Sequence, residues 1–395
     1  MQLASIVFVN RYFHPDHSAT SQIASDLAFH LAERGWDVEA ITSRQRYDDP
    51  RARLAPGETV RGVRITRIAT TRFGRAFLPG RAIDYLTFYL GTFFALLRRR
   101  DAIVIAMTDP PLLSVVAALA SRNVVNWVQD LFPEVAEALG IRSVRWLRAI
   151  RNWSLKRAKK NIVLGELMAA RVPNAEVIHN WADRDLRPVP VPEPVPVPGF
   201  SETSEAGHGS GRGHGHGFVI GYSGNLGRAH EFATIVDAMR RLPDVRFVFT
   251  GAGAQLERVK REAGANAEFR PYAPREQLSE SLSAADAHLV TLQPALEGLI
   301  VPSKFYGILA VTRPVIFVGA RDGELARIIN AHDCGIVVEA GDVDALVDGI
   351  RTLAADRERA AAMGARGRAL YAERFAPHVA FASWERVLQN VRTTG

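Results

Sequence analysis

A strand that runs into a glycine-rich turn and then into a helix constrains this chain most. The apolar segment Phe218–Ser223 predicts a buried strand, the turn begins at Gly224, and we expect a helix to start at Glu231. Backbone N–H groups at the positive end of a helix bind phosphate. Gly224 and Gly227 carry no Cβ atom to keep a diphosphate from the backbone, and Arg228 adds a permanent cation. The pattern predicts a phosphate site, although such turns also serve as plain connections.

A second segment further along the chain repeats this chemistry. Pro302 suits the first turn of a helix, and Ser303 and Lys304 fall in the same turn. A hydroxyl and an ammonium at a helix N-terminus favour a bound anion. We expect the two helix ends to hold one diphosphate from two directions. The alternative is an ordinary helix that begins at a proline and carries a solvated lysine.

Apolar runs alternate with amphipathic stretches along most of the chain, as is typical of α/β proteins. The runs predict buried parallel strands at residues 6–9, 103–107, 124–128, 247–250, 287–292 and 315–318. Amphipathic stretches between them, such as Ser21–Arg34, predict helices. A chain of 395 residues is long enough for two domains with their own cores. We therefore predict two doubly wound, Rossmann-like domains that bind ligands in the crevice at the carboxyl ends of their strands.

The middle of the chain differs in composition from both halves. Pro188–Pro198 is proline-rich and predicts an extended, stiff segment, whereas Gly207–Gly217 is glycine-rich and predicts a flexible one. We interpret the two together as an enlarged linker between the domains. Its histidines either bind a metal adventitiously or are simply part of a disordered linker; they are His208, His214 and His216.

Positive charge is concentrated in the first part of the chain. Residues 1–180 hold 25 Lys and Arg against 16 Asp and Glu, whereas the remainder holds 24 against 26. Arg142–Lys160 predicts a basic helix with tryptophans, which suits an anionic bilayer surface. The apolar run Tyr85–Leu97 is framed by arginines and is shorter than the roughly 20 residues that span a bilayer. We expect a peripheral protein whose first domain rests on a membrane, or, for the inner half of that run, a buried helix.

Other classes of protein fit the sequence less well. There is no zinc-finger spacing, basic repeat or RNA-stacking signature, although charge alone does not separate lipid headgroups from nucleic acid. Met1–Ile6 leads directly into a core strand, so we expect no signal peptide. The single cysteine, Cys334, excludes an internal disulfide and fits a reducing cytoplasm.

Several motifs resemble those of glycosyltransferase family 4, whose members are retaining enzymes of the GT-B fold. Gly221–His230 resembles the donor loop of that family, and Val301–Lys304 resembles the donor motif of its bacterial polysaccharide branch. Further matching segments follow in order: Arg11–Ser21, Trp127–Glu134, Val177–Asp183, Gly251–Gly253 and Asp333–Glu339. The resemblance covers nearly the whole chain except about residues 186–217.

The resemblance implies a site with a donor side and an acceptor side. Arg228 and Lys304 would stabilise the charge that builds on a leaving diphosphate. The donor-binding residues would be Gly224, Asn225, Gly227, His230, Tyr272, Glu297 and Ser303. The acceptor-side residues would be His14, His17, Thr20 and Gln129.

Some of these residues carry open alternatives. Asp130 is either a catalytic carboxylate near the reacting carbon or the cap of a turn or helix, and His17 is either a general base or a surface histidine. The family usually has a lysine near the position of His230, so either His230 takes part of that role or Lys304 replaces it. The second glutamate of the family falls at Gly307, which leaves ribose binding by that carboxylate open.

The resemblance implies a glycosyltransferase that moves a hexosyl or N-acetylaminosugar group from a nucleotide-diphosphate donor, with a UDP-sugar expected. The implied acceptor is a lipid-diphosphate-linked saccharide in bacterial cell-surface polysaccharide biosynthesis, at the inner face of the plasma membrane. We expect no cofactor and no metal, since no Asp-x-Asp pair lies beside the donor loop. The alternatives are a sugar-nucleotide 2-epimerase of the same fold and a basic binding protein without turnover.

We divide the chain into four parts on the same grounds. Residues 1–185 form the predicted acceptor-side domain, and 186–217 form the linker. Residues 218–375 form the predicted donor domain, and the amphipathic segment 376–395 is expected to cross back to the first domain.

Overall fold

The computed structural model describes residues 5–47, 49, 51–74, 78–190 and 217–393. The histidines of the predicted linker therefore lie outside the described residues. Two parallel-sheet α/β domains account for the described chain, as the alternation of apolar runs and amphipathic stretches predicts.

The first sheet has eight strands with the order β3-β4-β2-β1-β5-β6-β7-β8. They are β1 (Ser5–Val9), β2 (Asp37–Ser43), β3 (Gly57–Val60), β4 (Val63–Ile68), β5 (Ile103–Ala106), β6 (Val124–Trp127), β7 (Lys160–Val163) and β8 (Ala175–Val177). All neighbours pair in parallel except the edge pair β3 and β4. The helices of this domain are α1 (Ala19–Glu33), α2 (Leu78–Leu96), α3 (Leu113–Ala120), α4 (Glu134–Ala138), α5 (Leu147–Arg157) and α6 (Glu166–Ala169).

The second sheet has six parallel strands with the order β11-β10-β9-β12-β13-β14. They are β9 (Val219–Ser223), β10 (Arg246–Thr250), β11 (Ala267–Arg270), β12 (Ala287–Thr291), β13 (Val315–Gly319) and β14 (Gly335–Glu339). The remaining helices are α7 (Ala233–Arg240), α8 (Leu256–Glu262), α9 (Leu278–Ser283), α10 (Lys304–Ala310), α11 (Glu324–His332), α12 (Val343–Ala355), α13 (Arg357–Leu370) and α14 (Pro377–Thr393). The strand order changes direction between β9 and β12, which places the end of β9 at the switch point where such sheets bind ligands.

The last helix joins the core of the first domain. Trp384 is fully buried, and its ring centroid lies 4.7 Å from that of Trp127 in β6. The ring of Phe381 stacks on His30 at 4.4 Å, and the His30 imidazole also contacts the Glu385 carboxylate at 2.7 Å. Helix α14 therefore covers one face of the first sheet although it follows the second domain in sequence.

The two domains share one buried apolar cluster. Leu131 and Met168 of the first domain belong to it together with Leu296 and Phe305 of the second. A backbone hydrogen bond from Leu131 N–H to the carbonyl of Leu299 crosses the same seam, with a length of 2.9 Å. The seam is thus packed as a core and sets the distance between the two sheets.

The segment predicted as one basic helix, Arg142–Lys160, is built differently. Residues 142–144 form a short 3-10 turn, and the α-helix runs only from Leu147 to Arg157. The Arg148 guanidinium pairs with Glu137 at 2.9 Å, and the buried Arg151 pairs with Glu134. The prediction of one helix over the whole segment is therefore wrong. Acidic side chains of α4 pair with three of its arginines, namely Arg145, Arg148 and Arg151.

Helix α2 buries one side and exposes an apolar one. Asp84, Phe88 and Thr92 are fully buried, whereas Leu86, Leu90 and Phe94 on the other side are each more than half exposed. Helix α2 packs against α3, and α3 against α5. Their exposed side chains form what we call the apolar face: Leu86, Leu90, Phe94, Leu119, Trp146, Ile150 and Trp153. Among the described residues, no helix is both long and apolar enough to cross a membrane.

Candidate active site

The glycine turn after β9 packs against a second glycine turn after β10. Gly224 has a φ of +125°, and a Cβ atom at Gly251 would lie only 2.0 Å from the carbonyl oxygen of Gly224. The N–H of Gly224 donates to Thr250 at 2.9 Å, and that of Leu226 donates to Ala252 at 2.8 Å. Only glycine permits this close approach and backbone conformation.

The helix after this turn begins later than predicted and is already capped. Helix α7 begins at Ala233, and the Glu231 carboxylate accepts the N–H groups of Ala233 at 2.8 Å and Thr234 at 3.2 Å. The prediction of free N–H groups at this helix end is therefore wrong. Within the described residues, the turn itself keeps N–H groups without a protein acceptor, at Gly227 and Arg228.

The Lys304 ammonium lies directly beside the turn. It sits 3.7 Å from the centroid of the Tyr222 ring and donates to the Tyr222 hydroxyl. A Cβ atom at Gly224 would lie 3.7 Å from Nζ, so the missing side chain leaves the ammonium open towards the turn. Burial lowers the pKa of Lys304 well below its usual range. No described carboxylate pairs with this ammonium, which makes it suited to a bound anion.

His230 contributes a neutral ring to the same site. Its Nδ1 lies 2.6 Å from the Thr291 carbonyl, and an acceptor there requires Nδ1 to carry the proton. Burial and then the nearby Lys304 lower the pKa of His230 to about 3. A neutral imidazole offers Nε2 as an acceptor but no positive charge. Of the two alternatives for the missing lysine of the family, the geometry favours Lys304.

The other predicted donor-side residues line the rim of the turn. The side chain of Arg228 is exposed, and it forms no ion pair among the described residues. Gln293 fixes the turn, since its side chain donates to the Arg228 carbonyl at 2.8 Å. Tyr272 is 56% exposed, and its ring lies 3.3 Å from the Cβ position of Gly251. Asn225 packs against Gly227 and Gly253, while Ser303 is an exposed residue immediately before α10.

Glu297 lies on the loop that connects β12 to α10, at a cavity between the domains. Its Oε2 accepts the Glu324 N–H at 3.1 Å, whereas its buried Oε1 has no partner among the described residues. Burial raises the pKa of Glu297 to about 7. The cavity has a volume of about 280 Å³ and is lined by both domains: Leu167, Ala170, Arg171, Glu297, Asp322, Gly323 and Arg327.

Gly307, at the position of the family's second glutamate, does not face the candidate donor site. A Cβ atom there would contact the side chains of Leu186 and Leu282, each at 3.6 Å. A carboxylate at this position would start in apolar surroundings, so ribose binding would need another group.

Asp130 lies at the carboxyl end of β6, beside the seam between the domains. Helix α4 begins at Glu134 without a side-chain cap, so the alternative role of Asp130 as a helix cap is not realised. Burial, with the Asp109 carboxylate nearby, raises the pKa of Asp130 to about 6. Asp130 keeps an exposed surface and also lines a small cavity of the first domain. Its neighbour Gln129 is buried and exchanges two amide hydrogen bonds with Asn180, so its side chain is engaged inside the first domain.

The predicted acceptor-side loop after β1 is held in place by contacts within the first domain. His14 packs on the ring of Phe29 at 5.6 Å, and burial lowers its pKa. His17 is exposed, and Thr20 lies in the first turn of α1. The loop is pinned by Asp16, which accepts the N–H of Ser18 at 2.8 Å and the N–H of Tyr47 at 2.5 Å.

The structure thus assembles most predicted donor-side residues around one turn. It also adds residues that sequence reasoning missed. Tyr222 lies in the donor-loop segment Gly221–His230 but also inside an apolar strand, so it was assigned no role, and Thr291 at the end of another strand carried no motif signal. Gln293 and Glu324 were missed because their roles depend on contacts that are distant in sequence.

Two family models match the chain in adjoining regions. The model described as glycosyl transferase 4-like domain matches residues 19–199, and the model described as glycosyl transferases group 1 matches residues 212–370. Together they span both domains.

Curated relatives match over shorter stretches. The probable glycosyltransferase WbjE of Pseudomonas aeruginosa is 29% identical over 260 residues, which cover 60% of this chain and 62% of the relative. The putative colanic acid biosynthesis glycosyl transferase WcaI of Escherichia coli strain K12 is 31% identical over 140 residues, or 34% of each chain. The matches therefore span about a third to three fifths of the relatives' own length.

Solved structures match over nearly the whole chain. A sucrose-phosphate synthase from Thermosynechococcus elongatus gives a TM-score of 0.76 at 16% identity and covers 99% of this chain and 100% of its own. HepE from Anabaena, in complex with UDP-glucose, gives a TM-score of 0.65 at 14% identity and covers 99% of both chains. At this identity the likeness establishes the fold alone.

Proposed function

The chain belongs to glycosyltransferase family 4 and has the GT-B fold, and on that premise we propose that it is a retaining enzyme of bacterial polysaccharide assembly. It would transfer a sugar from a nucleotide-diphosphate donor, in the first instance a UDP-sugar, to a lipid-linked saccharide. The observation that carries the proposal is the unpaired Lys304 ammonium held over Tyr222 beside Gly224.

The donor side accounts for the leaving group. As the bond from the sugar C1 to the diphosphate breaks, negative charge builds on the departing phosphate oxygen. Lys304 and Arg228 supply cations there, and the N–H groups of Gly227 and Arg228 supply donors that need no reorganisation. The exposed ring of Tyr272 offers a surface on which the base can stack. HepE, which shares the fold, is solved with UDP-glucose, and this supports a UDP-sugar as the first donor to test.

The acceptor side accounts for the incoming hydroxyl. In this proposal the acceptor oxygen forms the new bond on the face that the diphosphate leaves, and its proton passes to the departing phosphate oxygen. Asp130, at the crevice, would accept a hydrogen bond from an acceptor hydroxyl and balance positive charge at C1. Glu297 would bind donor sugar hydroxyls from the other wall of the crevice.

The apolar face supports a lipid-linked acceptor. Seven exposed apolar side chains on neighbouring elements are uncommon on a surface that meets only water. Basic side chains contact two of these residues: the Arg157 guanidinium lies 5.3 Å from the centroid of the Trp153 ring, and Arg98 donates to the Phe94 carbonyl at 3.4 Å. Such a face suits shallow insertion into an anionic bilayer. A 2-epimerase with a water-soluble substrate would gain nothing from it.

The decisive experiment combines donor binding with transfer. Thermal unfolding is followed with UDP, GDP, ADP and their glucose conjugates, since a ligand that binds the native state raises its apparent stability. Transfer is then measured from the best donor to a polyprenyl-diphosphate-linked sugar in mixed micelles, and the anomeric configuration of the product is read by NMR. Binding with transfer and retained configuration supports the proposal. Interconversion of C2 epimers without transfer would replace it with the epimerase.

A further inference from the structure

One carboxylate of the second domain caps a helix of the first. The Glu324 side chain accepts the N–H of Glu166 through Oε1 at 3.0 Å and the N–H of Leu167 through Oε2 at 2.9 Å. These N–H groups belong to the first turn of α6, where a helix lacks internal acceptors and favours negative charge. Glu324 is 7% exposed, so water does not compete for these bonds.

Two glycines leave the space that this arrangement needs. A Cβ atom at Gly165 would lie 2.4 Å from the carboxyl carbon of Glu324, and one at Gly323 would lie 2.3 Å from Oε1 of Glu297. Gly165 has a φ of −169°, an extended backbone that any residue adopts. Clearance for the Glu324 carboxylate is therefore what glycine provides at this position.

The same residue holds Glu297 through its backbone. The Glu324 N–H donates to Oε2 of Glu297, while its side chain holds α6 of the other domain. The adjoining segment also touches the first domain, because a Cβ atom at Gly298 would meet Leu167 and Arg171 at 3.0–3.2 Å. One residue thus links the donor-side glutamate, the cavity and the opposite domain.

We propose that Glu324 is a positioning residue that fixes the two halves of the active site relative to each other. The inference rests on the proposed function. Glu297 and Lys304 lie on one connected segment of the second domain, and Asp130 lies beside the seam in the first. A displacement on the order of 1 Å between reacting groups lowers turnover by as much as 10²-fold. Glu324 would therefore act on kcat without touching the nucleotide.

Two variants test the hydrogen bonds between Glu324 and α6, one from each domain. Glu324→Gln keeps the shape of the side chain but replaces one acceptor oxygen with a donor, so one of the two N–H groups loses its partner. Gly165→Ala leaves the second domain unchanged and displaces the carboxylate by a clash. Asp356→Ala is the matched control, because Asp356 caps α13 within the second domain through the N–H of Arg359 at 2.8 Å.

The expected result separates turnover from nucleotide binding. Both link variants should lower kcat about tenfold or more, with the Kd for UDP within twofold of the parent by calorimetry. Asp356→Ala should change neither. A parental kcat in a folded link variant, or a Kd for UDP that weakens in step with kcat, would overturn the proposal.

A measurement independent of activity keeps the two proposals distinguishable. Small-angle scattering with UDP bound should report a changed distance between the domains in both link variants and none in Asp356→Ala. If the parent protein binds no nucleotide and transfers no sugar, the proposed function fails, and scattering without UDP then decides whether Glu324 fixes the domains. Unchanged scattering in both link variants would refute it.

Discussion

The turn after β9 and the loop after β1 occupy equivalent places in the two domains, each following a central strand of a parallel sheet. The two regions differ in whether their charged groups have partners within the protein. Two cations without acidic partners among the described residues lie at the β9 turn: Arg228 within it, and Lys304 of α10 beside it. The β1 loop carries its own anion, Asp16, whose oxygens are already filled by N–H and hydroxyl groups of the chain. Equivalent topology therefore gives unpaired cations, where we propose an anion site, in one domain and a self-contained loop in the other.

Removal of the cations at the β9 turn should have the largest effect. Lys304→Ala and Arg228→Ala should each lower turnover by about 10²–10³, since each loses one charge contact to the leaving group. Single-turnover release of the nucleotide diphosphate measures this. Lys260→Ala, which removes an exposed lysine paired with Glu257, is the control and should be neutral. Near-parental turnover in both site variants would remove the basis for the donor site.

Removal of the anion from the β1 loop should act on stability instead. Asp16→Ala leaves the N–H groups of Ser18 and Tyr47 without their acceptor, which should lower the free energy of unfolding by about 2 kcal/mol. Urea denaturation measures the loss, and turnover per folded molecule should fall less than tenfold. A stable variant with a large loss of turnover would show that the loop belongs to the catalytic machinery and break the comparison.

The pH dependence should identify the active carboxylate on the acceptor side. The pKa of Asp130 is raised from 3.8 to about 6, so its ionisation destabilises the fold increasingly as the pH rises from about 4 to 6 and by a constant amount above 6. Asp130→Asn should therefore unfold at a higher temperature than the parent at pH 8, and the difference should shrink as the pH falls from about 6 to 4.

The same variant should change the activity profile. Parental turnover should decline as the pH falls through about 6, because the carboxyl group becomes protonated. Asp130→Asn should lack that decline and should be about tenfold slower at pH 8. Identical profiles for the two proteins would assign the acceptor-side role to another group.

The exposed ring of Tyr272 should contribute to affinity rather than to chemistry. Tyr272→Ala should weaken UDP binding about fivefold, at the lower end of what loss of base stacking on an aromatic ring gives. Tyr272→Phe keeps the ring and should bind as the parent does. Isothermal titration with UDP measures both, and equal weakening in both variants would point to the hydroxyl group instead.

The smallest effects should come from single side chains of the apolar face. Phe94→Ser and Trp146→Ser should each reduce sedimentation with anionic liposomes about threefold, since each removes part of the buried apolar area. Arg98→Glu combined with Arg100→Glu tests the charge, because each basic residue near an anionic surface contributes on the order of 1 kcal/mol. Turnover with a soluble acceptor should be unchanged. Equal binding to neutral and anionic liposomes would show that apolar insertion, and not charge, attaches the protein to the bilayer.

Prediction from the sequence worked where the signal was local. The buried runs placed the central strands, and glycines marked the turn at 224–227 because its backbone needs a positive φ and close approach. Prediction failed where the pairing of a group depends on a residue that is distant in sequence. Three arginines of the predicted basic helix, Arg145, Arg148 and Arg151, pair with Glu134 and Glu137, and Glu231 accepts N–H groups at the start of α7.

The sequence by itself determined the fold class, the two domains, the family and the segments that we propose as the donor side. The fold class and domains follow from periodicity and from backbone conformations that a few neighbouring residues specify, whereas the family and the donor-side segments follow from motif resemblance. The tertiary structure alone decided the charge states and the pairings: Lys304 over Tyr222, a neutral His230, Gln129 bound to Asn180, and Glu324 across the seam. The physical reason is that desolvation and hydrogen bonding depend on which groups meet in space, and these groups come from segments far apart in the chain.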